Sequence, residues 1–319
     1  MEKQELLKEY KNQDDKILLS FILDKIKFVT TKNKIENTNF LNMQQIDLVE
    51  VGSNGKVRYV VDGRDLDTMT EAQVMENLEH ATNLLDGSAQ RGAKEFGITV
   101  EDASQRGADV VVITDNKKTQ VEFSTMDSVH RGDPGATKMV TAAYSARAGE
   151  NEEIVLMQPN AYAGSTGILS TDEYFIMTSE HEGVSIGGHA NSNTNSTTQR
   201  VTGNHDWDRA QAFEESMTQR NAIRKTFGTE LRLTRSEAKV GYQPGTNGLM
   251  ALVESVDDAG GNATQWIDDY KLYCKTDKRK AYVAFYDLAG FVNAHSTGIN
   301  TGGKTVMEYF LDQNEILYW

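Results

Sequence analysis

Residues 201–208 read VTGNHDWD. An apolar residue runs into Gly203-Asn204-His205-Asp206, which sets an amide, an imidazole and a carboxylate side by side. Such groups ligate divalent cations, and the chemistry they would serve is two-metal phosphoester hydrolysis. That chemistry also needs an early Asp-x-His, a Gly-Asp-x-x-Asp and later histidines. No Asp-x-His occurs, Gly132-Asp133 has no Asp three residues on, and only His295 follows His205. The six histidines are scattered through the chain, so no metal shell is expected. Asp206 is expected instead to cap a helix. Ala210, Phe213, Met217, Ile223 and Phe227 mark that helix from Trp207 to a stop at Gly228.

A second candidate is His130-Arg-Gly-Asp-Pro-Gly-Ala-Thr-Lys138. Its backbone amides could cradle a phosphate. It lacks the Gly-Lys-Ser/Thr of a P-loop, and a surface turn is expected. Further upstream, Thr68-Met-Thr-Glu71 fits a capping box, and Val74, Leu78, Ala81, Leu85 and Ala89 share one helical face. Lys94–Val100 reads as a strand. Ala108–Thr114 is a continuous apolar run ending at Asp115-Asn116, the pattern of a buried central strand. In outline, LLDGSAQRGA at 84–93 and VITDNK at 112–117 resemble the nucleotide site of GHKL-type ATPases. The resemblance implies nucleotide contacts at Asn83 and Asp115. Asn83 stands where that family has its general-base Glu, Gly87 where it has the metal-binding Asn, and Lys117 where it has the glycine of Asp-x-Gly. A module of this kind would have lost hydrolysis.

The elements that must position these groups divide near residue 51. Residues 1–50 contain no Gly, Ala, Arg, Pro or His, whereas the rest holds all 26 glycines. Val51-Gly-Ser-Asn-Gly-Lys56 is a turn-forming stretch, and a module boundary is read there. A fusion of unrelated segments would leave the same break. Leu18, Leu19, Ile22, Leu23 and Ile26 predict a helix over 14–27, and a second helix is predicted over 43–50. ILDKI at 22–26 followed by KNKIENTNFLNMQQIDLVE at 32–50 resembles the N-terminal segment of YlmH-type RNA-binding proteins. That resemblance implies RNA contacts from Lys25, Lys27, Lys32 and Lys34. It covers about a sixth of the chain, and no counterpart of that family's RNA-binding domain follows; LRLTRSEA at 231–238 matches only its opening.

The expected fold class is α+β or α/β: a small helical N-terminal module over 1–50, then a mixed sheet domain over 51–319 with long polar loops. Strands are predicted at Leu249–Val256 and Lys278–Asp287. GGHANSNTNSTTQRVTG at 187–203 is predicted to be an exposed, mobile loop. The single cysteine, Cys274, excludes an internal disulfide and is read as a half-buried bystander in a reducing compartment. No run approaches the roughly 18 apolar residues of a membrane span, and the N-terminus has no apolar signal core, so a cytoplasmic protein without a membrane partner is expected. The net charge of −14 disfavours broad contact with phosphate backbones.

No catalytic set closes in the sequence, and whether the chain is an enzyme stays open at this point, as does any cofactor. The leading expectation is a non-catalytic binding protein with RNA as its ligand. Two alternatives stand beside it: a GHKL-like nucleotide-binding module with degraded catalytic residues, and a structural or assembly subunit, such as a virion protein, that forms homo-oligomers.

Overall fold

The computed structural model describes residues 46–51, 57–62, 76, 80–81, 83–108, 110–113, 143–147, 153–157, 168–189, 194–202, 207–238 and 242–295. Five short strands are present: β1 (Ile46–Val51), β2 (Val57–Asp62), β3 (Val110–Ile113), β4 (Ala143–Arg147) and β5 (Glu153–Met157). They run in the order β1-β2-β3-β5-β4, with β2 and β5 parallel to β3 and an antiparallel partner at each edge. β1 lies where a helix over 43–50 was expected, and it pairs with β2 across the boundary read at residue 51. The 14–27 helix and the boundary turn itself lie outside the described residues.

The packed body is helical. Its helices are α1 (Ser88–Phe96), α2 (Val100–Gln105), α3 (Thr171–Glu182), α4 (Thr194–Thr202), α5 (Trp207–Phe227), α6 (Arg235–Ala238), α7 (Gln243–Asp258), α8 (Ala263–Tyr273) and α9 (Lys278–His295). Among the described residues from 168 to 295 there is no strand, and the buried apolar side chains over that span all belong to helices and their connections. The mixed sheet domain expected from the sequence is therefore corrected to a helical one.

The reasons lie in spacing. Leu249, Val253 and Val256 are buried three and four residues apart, one face of a helix rather than one face of a strand. On α9 the buried positions are Ala281, Ala284, Phe285, Leu288 and Val292, again helical, while the alternating Tyr282 and Tyr286 are only partly buried or exposed. The predicted strand at 94–100 is the end of one helix and the start of another. Gly97 closes α1 with φ 62°, and Thr99 opens α2, its side chain accepting from the Asp102 amide at 3.1 Å.

The main core joins Phe213 and Met217 of α5 to Leu249 and Val253 of α7, Ile267 and Tyr270 of α8, and Phe285 and Leu288 of α9. A second cluster sets Tyr174 and Met177 of α3 against Ala222 and Ile223 of α5. The 187–203 loop is also corrected. Gly187 and Gly188 are buried, and residues 194–202 form α4, whose Thr194, Thr197 and Thr198 are buried too. Threonine is small enough to pack there once its hydroxyl is satisfied. Thr198 Oγ1 lies 2.7 Å from the Tyr270 hydroxyl, and Thr197 Oγ1 donates to the Cys274 carbonyl at 3.4 Å. Cys274 is fully buried rather than half-buried, and burial pushes its thiol up to about 11.

Candidate metal centre

Helix α5 is packed on nearly every side, yet its buried residues include Glu214, Glu215, Thr218, Gln219, Arg220, Asn221 and Lys225. A central helix is ordinarily apolar all round. Charged groups persist there only where partners hold them. Arg220, with no exposed side-chain surface, reaches Glu230 and Asp268. Lys225 reaches the fully buried Glu180 of α3 at 2.8 Å. The glutamates Glu214 and Glu215 face two histidines.

The end of α3 brings the first of these. Ser170 and Glu173 form a capping box at its start, and Gly183, at φ 99°, turns the chain at its end. His181 sits in the last turn, 4% exposed. The chain then folds back on itself: the amides of Gly183 and Val184 both donate to the Ser179 carbonyl at 3.1 Å, and the His189 amide donates to the His181 carbonyl at 2.9 Å. Lys225 Nζ donates to the Ile186 carbonyl at 2.9 Å and pins the middle of the loop to α5. The return is tight enough to require glycine at 188. A Cβ there would lie 2.3 Å from the Gly183 backbone. Gly188→Ala is expected to destabilise the chain by about 1–3 kcal/mol, because backbone must move, and to displace His189 with it. Urea unfolding checks the first effect and a zinc titration the second.

His181 Nε2 and His189 Nε2 are 2.8 Å apart. Glu215 Oε2 lies 3.2 Å from the former and 3.0 Å from the latter. Each imidazole nitrogen can carry at most one proton, so three acceptor-capable atoms converge on one point. Zinc ligands at about 2.0–2.1 Å stand about 2.9 Å apart at adjacent octahedral corners and about 3.3 Å apart at tetrahedral ones. The observed triangle has edges of that size.

The surroundings of the triangle are fixed. His189 Nδ1 lies 2.9 Å from Glu214 Oε2. Glu214 Oε1 in turn accepts from Lys271 of α8 at 2.7 Å and from Thr218 at 2.9 Å. Gln211 donates to Glu215 Oε1 at 2.6 Å, leaving Oε2 to face the histidines. This is the carboxylate–histidine arrangement that orients metal ligands. The Tyr242 ring stacks on His181, with centroids 5.3 Å apart and planes 12° apart. Among the described residues His181 Nδ1 is buried without a hydrogen-bond partner.

Electrostatics match a site built for a cation. Burial works to lower the pKa of His189, but Glu214 and Glu215 outweigh it and hold the imidazole well above its usual range. Burial also opposes ionisation of Glu214, yet His189 and Lys271 bring it down to about 2. Glu215 lies well below the usual carboxylate range: His189 and the hydrogen bonds from both histidines prevail over its burial. Without a metal, a proton on His189 balances the two carboxylates, and a divalent cation would take over that work. Glu182, next to His181, differs. Burial raises it, and no hydrogen bond to its side chain occurs among the described residues.

The sequence reading expected no such shell. Two of its six histidines do meet, and the carboxylates that join them come from 25 or more residues downstream. Of the residues singled out earlier, Lys25, Lys27, Lys32, Lys34, Asp115, His205 and Asp206 lie outside the described residues, as does the 130–138 loop, and Asn83 is exposed. No family model, no curated protein and no solved structure matches the chain. No helix among the described residues is long and apolar enough to cross a membrane.

Proposed function

We propose that the helical domain is a mononuclear metal-dependent hydrolase centre, with His181, His189 and Glu215 as ligands and a first-row divalent ion, zinc among them, as the metal. The observation that carries this reading is the triangle of donor atoms with edges of 2.8–3.2 Å, one of its histidines held from behind by a buried carboxylate. Three protein ligands of the His2Glu type leave a coordination position open, the mark of catalytic rather than structural zinc sites. Glu214 is committed to His189, Lys271 and Thr218, so it does not close that position.

Held by His181, His189 and Glu215, a divalent ion would supply Lewis-acid polarisation of a water and of the substrate oxygen. Glu182 supplies the base. It follows His181 directly on α3, is half-buried, and is not occupied by a hydrogen bond among the described residues. In that role it would take a proton from the attacking water and return it to the leaving group. The net change is the addition of one water across an ester or amide bond.

The test begins with metal-free protein titrated with zinc, with bound metal counted by elemental analysis. One ion per chain is expected, and none would sink the reading. Glu182→Gln is expected to keep that ion while hydrolysis of a general ester substrate falls by about 100- to 10,000-fold. Loss of zinc in this variant would make Glu182 a ligand rather than a base. The same donor set on octahedral corners also suits ferrous iron; the mean edge near the octahedral value favours including iron beside zinc in the titration. The RNA-associated role expected from the N-terminal lysines rests on other residues and is a separate proposal.

A further inference from the structure

Four large apolar side chains stand exposed among the described residues, and two of them, Val283 and Tyr286, lie three apart on α9 at 54% and 58% exposure. Arg279, Val283, Tyr286 and Gly290 recur at intervals of four, three and four, so they form one stripe down the helix. The stripe lies opposite the face that Ala281, Ala284, Phe285, Leu288 and Val292 bury in the core. The Tyr286 side chain is already fixed: its hydroxyl donates to the Val201 carbonyl at 3.4 Å, and its ring meets that of Phe285 edge-on, with centroids 6.1 Å apart. Gly290 has open space where a side chain would stand. A stripe with this spacing is what a second helix packs against.

The charges on α9 say which helix. Its first turn holds Lys278, Arg279 and Lys280 and no carboxylate. All three are exposed, and they stand at the positive end of their own helix dipole, an unfavourable place for cations. The one carboxylate on α9 is Asp287, which is exposed and has no ion pair among the described residues. Lys280 lies over the Tyr273 ring, 4.5 Å from its centroid, and no carboxylate pairs with it among the described residues either. Lys280 and Asp287 are seven residues apart, so they share one edge of the stripe.

A second copy of α9, turned end for end and laid on this stripe, brings its Asp287 beside Lys280 of the first copy. The reciprocal pair forms at the same time, because a two-fold contact is self-complementary. Val283 and Tyr286 of both copies then fall between the two pairs. The three cations of each helix lie toward the negative C-terminal end of the other, which offsets the penalty they carry alone. We propose that this face of α9 is a homodimer interface, in which two copies of the chain pair α9 antiparallel about a two-fold axis near Val283, with Lys280 of each on Asp287 of the other. The interface is independent of the metal centre.

The experiment is sedimentation equilibrium of the full chain over a concentration series at about 0.15 M salt, where the net charge of −14 on each copy is screened beyond about 8 Å. A dimer of twice 35.5 kDa is expected, dissociating on dilution because one helix pair is a small interface. Lys280→Asp and Asp287→Lys are each expected to weaken self-association about 10- to 100-fold, since each turns both attractive pairs into like-charge ones. An equal mixture of the two variants is expected to recover the dimer, because opposite charges then meet in both pairs. Circular dichroism verifies that the variants, both altered at exposed positions, stay folded. A wild-type chain that stays monomeric throughout the series would overturn the proposal. Single variants that dimerise as wild type does would place the contact on another surface, and a mixture that fails to recover would remove the pairing of Lys280 with Asp287; either result overturns it as well.

Discussion

His189→Ala is expected to lose zinc binding by about 100- to 1,000-fold while the chain stays folded. Structural zinc sites with four ligands release about 10–16 kcal/mol, or about 3 kcal/mol for each ligand, which gives that factor. The metal-free chain loses stability, because the charge that balanced Glu214 and Glu215 is gone, but the groups behind His189 keep other partners. Glu214 retains Lys271 at 2.7 Å and Thr218 at 2.9 Å, and Glu215 retains His181 at 3.2 Å and Gln211 at 2.6 Å. The loop contact that survives is a backbone one, from the residue 189 amide to the His181 carbonyl. Calorimetric titration with zinc is the measurement, and circular dichroism verifies the helices. Zinc affinity within a few-fold of wild type would remove His189 from the ligand set and leave the triangle a protonated hydrogen-bond network. Glu214→Gln separates the ligand from its support: an effect of about 10- to 100-fold is expected there, smaller than for the ligand itself.

The parts of the structure that were legible in the sequence are those decided locally. The helix from Trp207 ends at Phe227, with Gly228 at φ 72° just beyond, because a helical apolar stripe and a glycine stop are neighbours in the chain. Lys278–Asp287 was misread because RKAYVAFYD alternates as well as it turns; only burial of Ala281, Ala284, Phe285 and Leu288 on one side separates helix from strand. The 187–203 segment was misread because polarity suggested solvent, although threonine hydroxyls and glycines can pack once the backbone is satisfied.

The site was hidden for a different reason. Its ligands sit at a helix end, after a tight loop and on a third segment, and no short spacing records that α5 returns past α3. Two signals were available. Gly187-Gly188 immediately before His189 marks a close backbone approach, and Glu214-Glu215 interrupts the apolar stripe of a helix long enough to be central. Both gain meaning only from burial, which depends on the whole fold. The motif around His205 carries no information on this site, because ligand sets are defined by geometry that sequence order does not preserve.

Lys225→Met is expected to destabilise the metal-free chain by about 3–5 kcal/mol and to weaken zinc binding as well. Both ends of the Lys225–Glu180 pair are without exposed side-chain surface and stand 2.8 Å apart. Burial pushes the Glu180 carboxyl up, but Lys225 and Arg91 outweigh it and keep it ionised. Removing one partner of a buried pair leaves a charge without compensation, and that costs about 3–5 kcal/mol. Arg91 at 2.9 Å, Ser88 at 2.7 Å and Ser185 at 2.9 Å still hold the carboxylate, which places the loss toward the lower end. The same substitution orphans the Ile186 and Glu180 carbonyls that Lys225 Nζ serves at 2.9 and 3.3 Å. Those carbonyls flank the loop that carries His189 back to the centre, so a looser loop lowers zinc affinity without touching a ligand. Urea denaturation of the apo chain reads the first effect, and a loss under about 1 kcal/mol would mean the pair is no better than a surface one. Adding Glu180→Gln to Lys225→Met should restore little of the stability, because it takes from Arg91 the carboxylate that it pairs with at 2.9 Å. It should not restore zinc affinity, because the carbonyl of Ile186 still lacks its donor; recovery of both together would show that charge alone, and not the tethered loop, positions His189.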